Sequence, residues 1–231
     1  MKVLHRSLLL LAGCFALLIN SYAQGEATGN KGMVATAHPL ASEAAIDILK
    51  QGGNAVDAAV AAAFAIGVVE PDGSGLGGGG GMVIYLNDEN TSYYINYYAR
   101  ACEKGSEAGY SGSKDAATAK AICVPGTVAG LTLALEEFGT LPLETIMAPA
   151  IRYASDGFAI DATLARLILD NIETVYADEV TTNIFCTEGF PLMEGDRIVQ
   201  EELANTLRII ARYGKSGFYD GPLAQSMVAG I

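Results

Sequence analysis

Histidine and basic residues are scarce in this chain of 231 residues. It contains two histidines, and 14 lysines and arginines stand against 26 aspartates and glutamates, so the formal net charge is −12. The shortage of basic residues excludes a nucleic-acid-binding surface, because such a surface needs clustered positive charge to neutralise phosphates. The shortage of histidine excludes histidine-rich metal sites. A Ser-His-Asp triad would have to use His38, since His5 lies in an apparent leader.

Residues 1–23 are predicted to be a signal peptide. Basic residues precede an apolar stretch at 7–19, and Ser21-Tyr22-Ala23 is a small-residue cleavage site. The mature chain would then begin at Gln24 and be exported to the periplasm or the cell exterior. The alternative is a lipoprotein that carries lipid on Cys14. The apolar stretch is shorter than the ~20 residues that a membrane-spanning helix needs, so no membrane span is expected.

Hydrophobic periodicity predicts one mixed unit of helices and short strands at 24–231. A helix at 55–69 is apolar on every side except at Asp57, and such a helix must be buried in protein. The chain ends inside a predicted helix, so its carboxyl end is expected to be a truncation or a processing site. The predicted helices cover 39–51, 55–69, 127–138, 143–155, 161–171, 200–213 and 222–231, and the predicted strands cover 33–37, 82–86, 92–98 and 183–186.

Three cysteines of the mature chain, Cys102, Cys123 and Cys186, have a spacing that resembles no metal motif. They are expected to be buried and unpaired, with one disulfide plus an odd thiol as the alternative in an oxidising compartment.

A glycine tract occupies residues 73–81, and Gly75, Gly77 and Gly80 satisfy the pattern G-x-G-x-x-G. That dinucleotide fingerprint needs a strand before it and a helix after it, whereas here a helix precedes and a strand follows. The tract also lacks the Gly-Lys-Ser/Thr of a phosphate-binding loop. What remains is backbone that can approach its neighbours closely, either for packing or to line a site.

Long ordered segments carry a resemblance to a known family. They include 32–42, Gln51-Gly52-Gly53-Asn54, residues 69–81, Val124-Pro125-Gly126-Thr127 and Phe218-Tyr219-Asp220-Gly221. Further matching segments at 148–151, 156–158 and 191–200 extend the resemblance over nearly all of the mature chain. Together they closely resemble the amino-terminal half of gamma-glutamyltransferases, also called glutathione hydrolases.

The resemblance implies an α+β fold of the N-terminal nucleophile hydrolase type, an αββα sandwich of which this chain is an incomplete part. It implies a proenzyme that cleaves itself, after which the amino-terminal threonine of the small subunit attacks a gamma-glutamyl amide and needs no cofactor. This chain would be the large-subunit portion. Its partners would be that small subunit, glutathione or another gamma-glutamyl compound, and an amino-acid or peptide acceptor, with no nucleic acid and no membrane.

The doubled threonine followed by histidine that is typical of the small subunit does not occur in these 231 residues. Thr181-Thr182 is followed by Asn183 and is expected to be structural. We therefore expect no catalytic residue in this chain, and we expect the chain by itself to be inactive.

One substrate-binding residue is expected. In the family, an arginine in the pattern Asp-x-Arg-Glu holds the alpha-carboxylate of the gamma-glutamyl group, and Arg100 occupies the matching place. The flanks differ, because Tyr98 and Ala101 replace the two acids. This difference leaves two alternatives open: an acylase of the same fold that cleaves a glutaryl or other side chain, and a non-catalytic module that binds an amino acid. His38 and Asp57 are expected to be structural.

Overall fold

The structure is a computed structural model and describes residues 27–103, 109–116 and 118–231. The signal peptide predicted at 1–23 and the alternative lipid site Cys14 lie outside these residues. Residues 34–231 form one compact unit, and the stretch at 27–33 contains no helix or strand.

Helices make up most of the described chain, and most of their bounds agree with the sequence-based predictions to within one or two residues. In chain order they are α1 (Pro39–Lys50), α2 (Ala55–Val69), α3 (Gly112–Asp115), a 3-10 turn (Ala119–Ala121), α4 (Thr127–Phe138), α5 (Leu143–Asp156), α6 (Ala162–Asp170), α7 (Ile172–Ala177), α8 (Glu179–Phe185), α9 (Glu201–Tyr219) and α10 (Gly221–Ala229).

The described strands form three two-stranded antiparallel sheets. The predicted hairpin is confirmed, with Gly81 opposite Asn96 and Leu86 opposite Thr91. The strands are β1 (Gly81–Leu86), β2 (Thr91–Asn96), β3 (Phe158–Ala159), β4 (Cys186–Thr187), β5 (Phe190–Pro191) and β6 (Arg197–Ile198), and the pairs are β1 with β2, β3 with β6, and β4 with β5.

Helix α2 lies at the centre of the hydrophobic core, as its apolar surface predicts. Phe64 is 1% exposed and Val60 is fully buried. Helices α1, α4 and α5 pack against α2, and α9 packs against α5. These contacts bury most of the surface of a helix that could not remain stable in water, although Ala55 and Ala59 stay exposed.

Two predicted strands are wrong. Residues 33–37 form no strand, because no described segment pairs with them and a strand needs a ladder of hydrogen bonds. Residues 183–185 end helix α8, which the Asp178 side chain caps by accepting from the Thr181 N–H at 2.7 Å. This cap stabilises a helical turn and overrides the strand preference of Ile184 and Phe185.

Helix α9 continues beyond the end that was predicted for it at Gly214. Gly214 has φ 60° and ψ −145°, so it kinks the helix, and a helical stretch resumes as far as Tyr219. Glycine adopts this conformation readily because it has no Cβ. Beyond the kink, Phe218 is part of the hydrophobic core, with 3% of its surface exposed, and Tyr219 packs against that core.

The prediction of buried cysteines is wrong for Cys102 and Cys123, which are both exposed, while Cys186 is partly buried. The first two lie in the irregular segments between β2 and α4, where no helix or sheet face covers them. No disulfide joins these three cysteines in the described structure.

Candidate substrate-binding site

Arg100 lies just beyond the end of β2 and is fixed there by its own backbone. Its N–H donates to the Val124 carbonyl at 3.1 Å, and the Val124 N–H donates to the Arg100 carbonyl at 2.8 Å. This reciprocal pair is the hydrogen-bonded pair of an antiparallel ladder, and it ties the arginine to the segment that leads into α4. The backbone that carries the guanidinium group therefore has a defined position.

A pocket of about 550 Å³ lies beside Arg100. Tyr97, Tyr98, Leu133 and Tyr219 supply much of its wall, and Arg100 is the one charged residue among the described residues that line it. None of the ion pairs in the described part of the chain involves Arg100. A single guanidinium group in an otherwise uncharged pocket suits a ligand that carries a carboxylate, which arginine can bind with two parallel hydrogen bonds.

The glycines around the side chain of Tyr97 are required by close packing. A Cβ at Gly126 would collide with the Tyr97 carbonyl oxygen, and a Cβ at Gly130 would collide with the Tyr97 side chain. In the glycine tract, a Cβ at Gly79 would collide with the Ala99 nitrogen. These close approaches set the strand that precedes Arg100 against the start of α4.

The earlier part of the glycine tract lines a second pocket, of about 540 Å³, which Tyr97 also lines. A Cβ at Gly73, Gly75 or Gly77 would meet no atom within 4 Å. The sequence left open whether these glycines serve packing or line a site. Both uses occur in one tract, because its last residues pack against neighbouring backbone and its first residues border open space.

A family model described as Gamma-glutamyltranspeptidase matches residues 41–231. The chain belongs to the gamma-glutamyltranspeptidase family. It is 41% identical over 209 residues to a glutathione hydrolase proenzyme of Bacillus subtilis (strain 168), and the alignment covers 86% of this chain and 35% of that relative. It is 38% identical over 213 residues to an acylase ACY 1 proenzyme of Pseudomonas sp. (strain V22), and that alignment covers 87% of this chain and 38% of the relative. The chain thus spans little more than a third of the length of these relatives.

The fold agrees with the family. The crystal structure of Helicobacter pylori gamma-glutamyltranspeptidase matches with a TM-score of 0.81 and 33% sequence identity, over 89% of this chain and 61% of that chain. This likeness confirms the α+β fold of the N-terminal nucleophile hydrolase type that was predicted for this member of the gamma-glutamyltranspeptidase family.

His38 and Asp57 serve the fold of this gamma-glutamyltranspeptidase relative, as predicted. His38 caps α1, and its Nδ1 accepts from the Leu40 N–H at 3.1 Å. Asp57 is fully buried and forms a capping box with Asn54, whose N–H donates to the Asp57 carboxylate at 2.8 Å. Burial would raise the pKa of Asp57, but hydrogen bonds from Thr140, Asn54 and Leu141 outweigh it and lower the pKa.

Thr181 and Thr182 lie in α8, and both hydroxyls bond to groups of their own or the preceding helix. Thr181 Oγ1 donates to the Asp178 carboxylate at 2.6 Å, and Thr182 Oγ1 donates to the Val175 carbonyl at 2.8 Å. These bonds within one local segment support the structural role that was expected of the pair.

Tyr219 is a residue of the site that reasoning from the sequence missed. It lines the same pocket as Arg100, although 119 positions separate the two in the printed sequence. The one signal for it was its place in the Phe218-Tyr219-Asp220-Gly221 match to the family.

Metal-binding clusters and membrane-spanning helices are both missing from the described residues. No cluster there contains three or more side chains able to hold a metal ion. No helix there combines the length and the apolar content that crossing a membrane requires.

Proposed function

We propose that this chain is the large-subunit part of an exported gamma-glutamyltransferase, or glutathione hydrolase, and that Arg100 binds the alpha-carboxylate of the gamma-glutamyl donor. The observation that carries the proposal is the single guanidinium group in the 550 Å³ pocket of a chain of this family. The proposed donors are glutathione and other gamma-glutamyl compounds, and the acceptors are water, amino acids or peptides.

The reaction needs a nucleophile that we propose is supplied by a segment outside these 231 residues, the amino-terminal threonine of a small subunit. Its hydroxyl would attack the gamma-carbonyl carbon, with the alpha-amine of the same threonine as the base. The amine product takes up the proton as the amide bond breaks, and an acyl-enzyme remains. Water or an acceptor amine then releases the gamma-glutamyl group.

Arg100 contributes binding and orientation to this scheme. The planar guanidinium group fixes both the position and the orientation of a bound carboxylate through two hydrogen bonds. The ammonium group of a lysine is a point charge and would not fix the orientation. Because the backbone of Arg100 is bonded twice to Val124, the anchored end of the donor has a defined place relative to the start of α4. The amide to be cleaved is then presented at a fixed distance from the anchor.

A second candidate is an acylase of the same fold, which would bind a glutaryl or similar side chain. The observation that favours it is that Tyr98 and Ala101 flank Arg100 where the family pattern has acids. The described pocket thus shows a group for a carboxylate but no acid for an ammonium group. A glutaryl group has a terminal carboxylate but no ammonium group.

The test is Arg100→Lys in the complete enzyme, that is, the product of the full reading frame. We expect the KM for gamma-glutamyl p-nitroanilide to rise about 10-fold to 100-fold, because one bidentate charged contact is worth ~1.5–3 kcal/mol. The matched control is Arg166→Lys, at an exposed position on α6. Unchanged kinetics in the Arg100 variant would remove Arg100 from the site.

The same measurement separates the two candidates when glutaryl p-nitroanilide is the second substrate. A gamma-glutamyltransferase should prefer the gamma-glutamyl compound in kcat/KM, and an acylase should prefer the glutaryl compound. No turnover of either substrate by the matured enzyme would favour a non-catalytic binding module.

A further inference from the structure

The hydroxyl of Tyr219 connects the end of α9 to the start of α4 through two hydrogen bonds. It donates to the Pro125 carbonyl at 2.9 Å and accepts from the Ala129 N–H at 3.2 Å. Tyr219 is partly buried, and the partners lie 94 and 90 positions away in the chain. This is a long-range contact between two helices and the turn that precedes one of them.

Helix α4 needs a partner from elsewhere because its first residues cannot cap themselves. The first N–H groups of a helix have no acceptor within it, and a serine, threonine, aspartate or asparagine usually supplies one. Here the capping position is Gly126, which has no side chain. The Gly78 carbonyl accepts from the Gly126 and Thr127 N–H groups at 2.8 and 3.2 Å, and Tyr219 accepts from Ala129.

The turn that Tyr219 holds is also the turn that fixes Arg100. Val124 is bonded twice to Arg100, and the next residue, Pro125, gives its carbonyl to the Tyr219 hydroxyl. Tyr219 and Arg100 both line the 550 Å³ pocket. Burial raises the pKa of the Tyr219 phenol, against the opposing effects of the Ala129 N–H and of Arg100. The phenol therefore keeps its proton at neutral pH and can donate it to Pro125.

We propose that Tyr219 is a positioning residue for donor binding: its hydroxyl holds the turn at 124–126, and through the Val124 pairing it sets the place of Arg100. This inference rests on the proposed function, because it assigns Tyr219 a part in the carboxylate site of Arg100. Tyr219 takes no part in bond making or breaking.

The test is Tyr219→Phe in the complete, matured enzyme, which keeps the ring and removes the hydroxyl. We expect the KM for gamma-glutamyl p-nitroanilide to rise about 10-fold, with kcat changed by less than about 2-fold, because the variant loses two partly buried hydrogen bonds that act on binding. The matched control is Tyr176→Phe, which deletes a hydroxyl bond to the Gly189 carbonyl of the same 2.9 Å length at a place that does not line the pocket.

The outcomes separate this inference from the proposed function. A KM that rises in Arg100→Lys but not in Tyr219→Phe would overturn the role of Tyr219 alone, whereas a KM unchanged in Arg100→Lys would overturn the carboxylate site itself. In the double variant, the two effects on KM should be less than additive, because both act on one contact. A lower melting temperature with unchanged KM in Tyr219→Phe would show that Tyr219 is structural only.

If Tyr219→Phe fails to mature, difluorotyrosine at position 219 tests the same bond. Fluorination lowers the pKa of the phenol, so the hydroxyl loses its proton as the pH is raised and can no longer donate to Pro125. The ratio of the variant KM to the wild-type KM should then rise with pH. A ratio that stays level would overturn the proposal.

Discussion

Replacing Asp57 by asparagine should destabilise the protein strongly, although the two side chains have nearly the same size. The buried carboxylate accepts from Asn54 N at 2.8 Å, from Thr140 N at 3.0 and 3.2 Å, from Thr140 Oγ1, and from Leu141 N at 3.3 Å. An asparagine has one acceptor oxygen, and its NH₂ group would face N–H donors. At least one backbone donor would then be buried without a partner.

The expected loss is about 3 kcal/mol, since a buried donor left without its partner costs ~1–3 kcal/mol and bonds to a charged acceptor are stronger than neutral ones. For a protein of this size, 1 kcal/mol shifts the melting temperature by ~2–4 °C. The Asp57→Asn variant should therefore melt about 10 °C below the wild type at neutral pH. Thermal unfolding followed by circular dichroism measures this shift.

The pH dependence has a defined sign. The pKa of Asp57 is lowered in the folded protein from its ordinary value of 3.8. A carboxylate with a lowered pKa contributes stability that is fully present above the unfolded pKa and is lost as the pH falls through the folded pKa. The difference between wild type and variant should therefore be largest at neutral pH and should shrink below 3.8.

The control is Asp47→Asn, the same chemical change at an exposed pair with Lys50 that measures 3.6 Å. Such surface pairs contribute ~0–1 kcal/mol, so this variant should melt within a few degrees of the wild type. If Asp57→Asn matched this control, or if its deficit were the same at all pH values, the reasoning about the buried carboxylate would be refuted.

Three further predictions concern export, thiol reactivity and activity. The exported protein should begin at Gln24 by intact mass and amino-terminal sequencing, and a lipid-modified Cys14 would contradict this. In the folded protein, Cys102 and Cys123 should react quickly with Ellman's reagent and Cys186 slowly, because burial raises the pKa of the Cys186 thiol. Cys102→Ser and Cys123→Ser should each remove one fast equivalent, and a single fast thiol in the wild type would argue against the described exposure. The 231-residue chain expressed alone should hydrolyse gamma-glutamyl p-nitroanilide no faster than buffer, and turnover would refute the assignment of the nucleophile to another segment.

Local signals in the sequence predicted the helices of nine or more residues well, but they did not predict the shorter helices α3, α7 and α8. Asn54 and the glycines at 52–53 set the boundary between α1 and α2, and they act on residues that are neighbours in the chain. The predicted site residue Arg100 was found through family resemblance, since an isolated arginine at a strand end has no pattern of its own. Its place beside a pocket is consistent with that prediction, and its role remains a proposal.

The features that sequence reasoning missed depend on distant parts of the chain. Asp57 was correctly placed in the first turn of α2, but its partner Thr140 lies 83 positions away, and no periodicity reports such a contact. The hydrogen bond from Tyr219 to Pro125 likewise joins residues that are far apart in the chain. Gly214 kinks α9 where the sequence predicts its end, since a glycine after an amphipathic stretch is the usual signal for termination.

The packing of Tyr97 against Gly126 has a consequence for how this family can change its sequence. A serine or asparagine at position 126 would cap α4 locally, but its Cβ would collide with the Tyr97 carbonyl oxygen. No single substitution at position 126 can therefore take over the bond that Tyr219 supplies to Ala129. A homologue that keeps this packing should therefore keep a hydroxyl at position 219, because no side chain at position 126 can take its place.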